Sequence, residues 1–111
     1  MNDGLYRLRF KAVGANADGS LTVANEAAVG DDSYRHLAGT LTHSGNIVEA
    51  TIDVSCRDGA PLPIGGFREY TVKFAGNASP DRFSMIGLGP LGLIVELSGE
   101  WQHELGTRGW P

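Results

Sequence analysis

The chain has 111 residues, with 9 Lys and Arg against 13 Asp and Glu, which gives a formal net charge of −4. This length suits one domain that buries a core without staples. The one cysteine, Cys56, excludes a disulfide scaffold and favours a reducing compartment, so we expect a cytoplasmic protein. No membrane span or secretory signal is expected, because no long unbroken apolar run is present and the first residues lack a signal pattern.

The first strand is predicted from strict alternation between Leu5 and Ala12. Tyr6, Leu8 and Phe10 share one face, and the basic residues Arg7, Arg9 and Lys11 share the other. We interpret this basic stripe as a solvated face and expect no specific nucleic-acid binding, because the molecule as a whole is acidic. The later strands are predicted at 20–24, 27–29, 34–42, 47–56, 67–75, 82–88 and 93–103.

Turn-forming residues separate these strands, and they are predicted at 16–19, 25–26, 30–33, 43–46, 57–66, 76–81 and 89–92. Eight short strands joined in sequence order, with almost no helical periodicity, predict an all-β, single-domain, antiparallel up-and-down barrel. We favour a barrel over an open sandwich because closure removes the exposed edges. The domain is expected to span 3–105, with a mobile tail at 106–111.

No motif in the sequence predicts catalysis, a cofactor or a metal site. Gly87, Gly89 and Gly92 match the spacing of a dinucleotide-binding loop, but Pro90 and the following strand indicate an ordinary turn. His36 could share a metal with Asp31, although the acidic residues there are better explained as turn formers. Cys56 has the parity of the buried face and is interpreted as a core residue.

The inward residues of such a barrel have two interpretations. They either fill a closed core or line a cavity for one small apolar ligand, because eight strands leave only that much room. The candidates are Tyr6, Leu8, Phe10, Tyr34, Val72, Phe74 and Met85.

The last two predicted strands are apolar on both parities. If Phe83, Met85, Leu93, Val95 and Leu97 point inward, then Ile86, Leu88 and Ile94 point outward and form an apolar patch. Such a patch on a small domain indicates an association surface, here a candidate homodimer interface. The alternative is that these strands are buried on both faces.

A family resemblance rests on short motifs in a fixed order, namely Asp3-Gly4-Leu5-Tyr6, Gly30-Asp31, Tyr34, Gly39 and the alternating Leu93, Val95 and Leu97. Over 3–105 the chain resembles the GrlR-like family, negative regulators of type III secretion with a small calycin-type, lipocalin-like barrel. The resemblance implies a homodimer that acts by protein binding, without catalysis. In that family an acidic tetrad at a hairpin tip helps to bind a transcriptional activator. The matching positions here are not acidic: His43, Ser44, Gly45 and Asn46.

Two functions therefore follow from the sequence. The first is a non-enzymatic cytoplasmic regulatory protein that binds a protein partner as a homodimer. The second is a lipocalin-like carrier or sensor of a small apolar ligand. The state of the interior discriminates between them, because a carrier needs a cavity of at least about 300 Å³.

Overall fold

The computed structural model describes residues 1–12, 16–57 and 67–104. Its eight strands and single 3-10 turn are, in chain order, β1 Gly4–Ala12, β2 Ala17–Ala24, β3 Ala27–Asp32, β4 Arg35–Ser44, β5 Ile47–Cys56, β6 Glu69–Ser79, β7 Arg82–Leu88, η1 Pro90–Gly92 and β8 Ile94–His103. Each strand pairs antiparallel with the next, and β1 also pairs with β8. The predicted all-β, eight-stranded, up-and-down barrel is confirmed.

Strict alternation builds the core. In β5, every second residue from Val48 to Val54 is buried, and the residues between them are exposed. The period of two puts every second side chain inside the barrel, where apolar side chains leave water. All of the barrel's buried apolar side chains form one cluster.

Two predicted turns are largely wrong, because strand covers all but one residue of each: Asn16 lies before β2, and Ser33 lies in the bend after β3. Gly19 lies within β2, and Gly30 to Asp32 lie within β3. The two segments pair with each other, with Gly19 as the register partner of Asp32. The likewise predicted turn at 76–81 shortens to two residues, because β6 runs on to Ser79. Asp-Gly and Gly-Asp favour turns locally, but cross-strand pairing in a closed sheet overrides that preference.

The turn predicted at Asn25 and Glu26 is confirmed. Both residues have positive φ, 52° and 67°, and they connect Ala24 directly to Ala27. This is the backbone that a tight two-residue hairpin requires, since its twist matches that of the flanking strands.

The inward placement predicted for Tyr34 is also wrong. Tyr34 lies in a bend before β4 and is 37% exposed, while Arg35, Leu37 and Leu41 take the inward positions. Leu37 and Leu41 share the parity of Arg35, so the alternation of the strand predicts an inward Arg35 and an outward Tyr34. The predicted connection at 57–66, apart from Arg57, and the tail at 106–111 lie outside the described residues.

Inward glycines let neighbouring strands approach closely. A Cβ atom built on Gly39 would lie 1.9 Å from the carbonyl oxygen of Thr51, on the adjacent strand β5. On β8, a Cβ on Gly99 would lie 2.4 Å from the ring of Phe83. The first position needs glycine because the obstacle is backbone, and the second leaves room for an aromatic core side chain.

We therefore expect Gly39→Ala to lower the free energy of unfolding by about 1–3 kcal/mol, because overpacking forces backbone to shift. The neighbouring exposed residue supplies the control: Thr40→Ala should change it by no more than about 0.5 kcal/mol. Urea unfolding followed by circular dichroism measures both variants. Equal stability of Gly39→Ala and the wild type would contradict the close approach of β4 and β5.

Candidate functional site

The barrel interior is filled. Six of the seven predicted interior residues are at most 3% exposed: Tyr6, Leu8, Phe10, Val72, Phe74 and Met85. A water molecule could therefore contact almost none of their surface. The seventh, Tyr34, lies outside. These side chains make a core and not the wall of a ligand cavity.

The N-terminal segment covers one end of the barrel. The hydroxyl of Tyr6 donates a hydrogen bond to the carbonyl oxygen of Asn2, and Trp101 Nε1 donates one to the carbonyl oxygen of Asp3 over 3.1 Å. The backbone N–H of Asn2 donates to the carbonyl oxygen of Pro80 at 3.1 Å. Burial raises the pKa of Tyr6 to about 12. These bonds satisfy the polar groups of Tyr6 and Trp101 at this end.

A buried ion pair lies at the other end of the interior. Arg35 Nη1 is 2.8 Å from Asp32 Oδ2, and the two side chains are 1% and 0% exposed. Asp32 Oδ1 also accepts the backbone N–H groups of Tyr34 and Arg35, at 2.7 and 2.8 Å. The carboxylate thus orders the bend between β3 and β4 and neutralises the one buried cation among the described residues.

Aromatic groups surround this pair. The guanidinium carbon of Arg35 lies 4.1 Å from the centroid of the Phe10 ring, which is the geometry of a cation–π contact. The nearby Tyr70 hydroxyl is buried, and burial raises its pKa to about 12 although Arg35 opposes the shift. Sequence analysis missed this cluster, because the pairing of Asp32 with Arg35 depends on a bend that only the fold fixes.

The cysteine and histidine candidates pair across neighbouring strands of the barrel. Cys56 pairs in register with Arg35 at the end of β5, and burial raises the pKa of its thiol, so the nucleophilic thiolate is disfavoured. Asp31 and His36 are register partners, but Asp31 lies 3.3 Å from the guanidinium of Arg57. Within the described ranges no three His, Cys, Asp or Glu residues are grouped as metal ligands.

The positions that match the family's acidic tetrad lie at the β4–β5 hairpin. His43 and Ser44 end β4, and Gly45 and Asn46 form the turn, with Gly45 at φ 60°. No carboxylate lies at these four positions. A hairpin therefore lies at these positions, but it lacks the charge of the acidic tetrad in the family that the chain resembles.

The outer face of β7 and β8 carries the predicted apolar patch. Ile86, Leu88 and Ile94 are 52%, 63% and 52% exposed. Leu88 is the register partner of Ile94, and Ile86 is that of Glu96, so the three side chains adjoin on two neighbouring strands. The interpretation in which both faces of these strands are buried is wrong within this chain. We call Ile86, Leu88 and Ile94 the apolar patch.

The opposite end of the same face is charged. Arg82 and Glu100 are register partners, and Arg7 lies next to them on β1. Glu100 Oε1 is 2.9 Å from Arg7 Nη2, and its Oε2 is 3.9 Å from Arg82 Nη2. Ser84 and Ser98 pair in the middle, and their small side chains leave a groove of about 490 Å³ between the charged walls. Sequence analysis missed this end, because only the register brings β1, β7 and β8 together.

Comparison with known proteins gives a distant structural likeness. No family model and no curated protein matches the chain. A solved structure of a redesigned β-barrel is 12% identical over 91% of each chain, with a TM-score of 0.48. Across the described part of the chain, no helix has the length and apolarity needed to span a membrane.

The ion pair at the β3–β4 bend predicts a large mutational effect. Asp32→Ala should lower the free energy of unfolding by about 3–5 kcal/mol, because it leaves the buried Arg35 without its carboxylate. Asp18→Ala is the matched control, since Asp18 holds Arg9 at 3.1 Å on the exposed surface and should cost no more than about 1 kcal/mol. Denaturant unfolding compares them, and equal losses would contradict a buried pair.

The buried tyrosines predict a loss of stability in alkali. An unfolded tyrosine ionises near pH 10, whereas the pKa of Tyr6 in the fold is about 12. The raised pKa stabilises the fold fully below pH 10, and this contribution is lost as the pH rises through 12. The free energy of unfolding of Tyr6→Phe should therefore fall less steeply with pH over this interval, as measured by denaturant unfolding followed by circular dichroism. An unchanged pH dependence would show that Tyr6 ionises equally in both states.

Proposed function

We propose that this chain is a non-enzymatic, cytoplasmic interaction protein of the GrlR-like regulatory type, which binds protein as a homodimer. The observation that carries the proposal is the apolar patch, formed by three half-exposed aliphatic residues adjoining on β7 and β8. Scattered apolar residues are normal on a surface, but an adjoining group on a small domain favours association.

A second copy is the occupant that this surface suits best. Burial of apolar area contributes about 25 cal/mol per Å². A two-fold contact uses the same patch on both subunits, so one set of exposed residues is covered twice. A homodimer also agrees with what the family resemblance implies.

The regulatory partner would not be bound through the acidic tetrad, because His43 to Asn46 supply no negative charge. The proposal therefore rests on the apolar patch and not on the hairpin. The carrier hypothesis gains no support, since the predicted lining residues on the strands are packed as a core.

Ile94→Asp tests the interface. The change places a charge in a self-contact that excludes water, so the dimer should dissociate while the fold persists, because Ile94 does not contribute to the core. Sedimentation velocity at tens of micromolar gives the mass, and circular dichroism checks the fold.

Ile47→Asp is the matched control. Ile47 is also an exposed isoleucine, at 56%, but it starts β5 and lies outside the apolar patch. It should leave the dimer intact. A wild type that sediments as a monomer would overturn the proposal. An Ile94→Asp variant that stays dimeric would show that the interface does not include the apolar patch.

A further inference from the structure

We infer that the second copy docks with its two-fold axis parallel to β7 and β8 and midway between them. The apolar patch and the Arg82–Glu100 pair then lie in one interface, with Arg82 opposite the partner's Glu100. This inference rests on the proposed homodimer and adds its orientation and the residues that select it.

The register of β7 with β8 is the starting point. From one end of the face to the other, four pairs of outward residues follow each other: Arg82 with Glu100, Ser84 with Ser98, Ile86 with Glu96, and Leu88 with Ile94. A two-fold axis between the strands lays β7 over the partner's β8. Each pair within the sheet is thereby repeated as a pair across the interface.

The repeated pairs match in chemistry at both ends. At the charged end, Arg82 meets the partner's Glu100, and Glu100 meets the partner's Arg82, so two opposite-charge contacts form. At the apolar end, Leu88 meets the partner's Ile94, and the contact again occurs twice. Ser84 and the partner's Ser98 meet between them, where small hydroxyls let the sheets approach.

The distances suit this arrangement. Packed sheets lie about 10 Å apart and cross at about 30°. The pairs extend over seven residues of β7, about 20 Å, so the crossing angle displaces the end pairs by about 5 Å. Arg and Glu side chains are long enough to span that offset, and both are more than half exposed here, at 66% and 51%.

The remaining pair is the poorest match, because Ile86 meets the partner's Glu96. In the sheet, Glu96 has Lys11 of β1 as its register partner, so a cation lies beside this carboxylate at the edge of the contact. The mismatch is confined to the middle of the face and repels no like charge.

Other axes fit less well. An axis across the strands through Ile86 and Glu96 would set Glu96 against the partner's Glu96. An axis across the strands between Ser84 and Ile86 would set Leu88 against Arg82 and Ile94 against Glu100. Like charges or desolvated charges on apolar residues disfavour both arrangements.

Charge reversal tests the orientation. Within a dimer of the variant, Arg82→Glu places two glutamates together at both contacts of the charged end. Glu100→Arg places two arginines together at the same contacts. Each variant alone should have a dimer Kd at least tenfold weaker than the wild type at low salt. An equimolar mixture of the two variants should form a heterodimer, because each end contact then joins opposite charges again.

Mixing separates the interface from effects within one chain. Arg82 and Glu100 are also neighbours inside each barrel, and mixing does not restore that contact. The control uses Arg57→Glu and Glu49→Arg, the same charge reversals outside the proposed face, which should dimerise as the wild type does. Sedimentation of each variant and of the mixture gives the masses.

The outcomes are distinct from those of Ile94→Asp. If Ile94→Asp abolishes the dimer but the charge-reversal variants dimerise normally, the homodimer stands and this axis is wrong. If the two variants are monomers and their mixture stays monomeric, the reciprocal contact is overturned. A wild-type monomer would overturn both proposals at once.

Discussion

The pairing of Leu5 to Ala12 on β1 with β8 closes the sheet on itself, and the other features of the molecule follow from this closure. A closed barrel has no unpaired edge through which another chain could add a strand. Eight strands also leave an interior that side chains fill. Closure therefore removes binding by a sheet edge, and the packed core side chains leave no room for binding in a central cavity. The outer surface and the two ends remain.

The filled interior explains why its charged pair is structural. Arg35 enters the barrel at the start of β4, and Asp32 and the Phe10 ring provide the partners that a buried cation needs. A buried ion pair gains little over apolar residues of the same volume, but loss of one partner is costly. Asp32 also accepts two backbone N–H groups, so the same carboxylate that neutralises Arg35 fixes the bend through which β3 continues into β4.

The sequence was sufficient for the fold class, because alternation in segments such as Val48 to Val54 depends only on burial of one face. Boundaries were less predictable. Gly19 and Gly30 are turn formers by local preference, yet here they let paired strands approach. Aromatic residues are usually buried and arginines are not, which favours Tyr34 over Arg35 as the inward residue, whereas the parity of Leu37 and Leu41 favours Arg35. The contact of Arg7 and Arg82 with Glu100 could not be predicted, since it requires the register of three strands.

The proposed dimer uses the two ends of one face for different purposes. An apolar patch supplies affinity but discriminates poorly among partners, because burial of apolar area has no direction. Charged pairs discriminate well, since a wrong partner leaves a like charge or an unpaired charge in the contact. In the proposed dimer, Arg82 and Glu100 at one end and Leu88 and Ile94 at the other would select a second copy in one orientation. Because β4 is four strands from β8 in either direction around the barrel, such a dimer leaves the opposite wall, with exposed Val29 and Ile47, open to a regulatory partner.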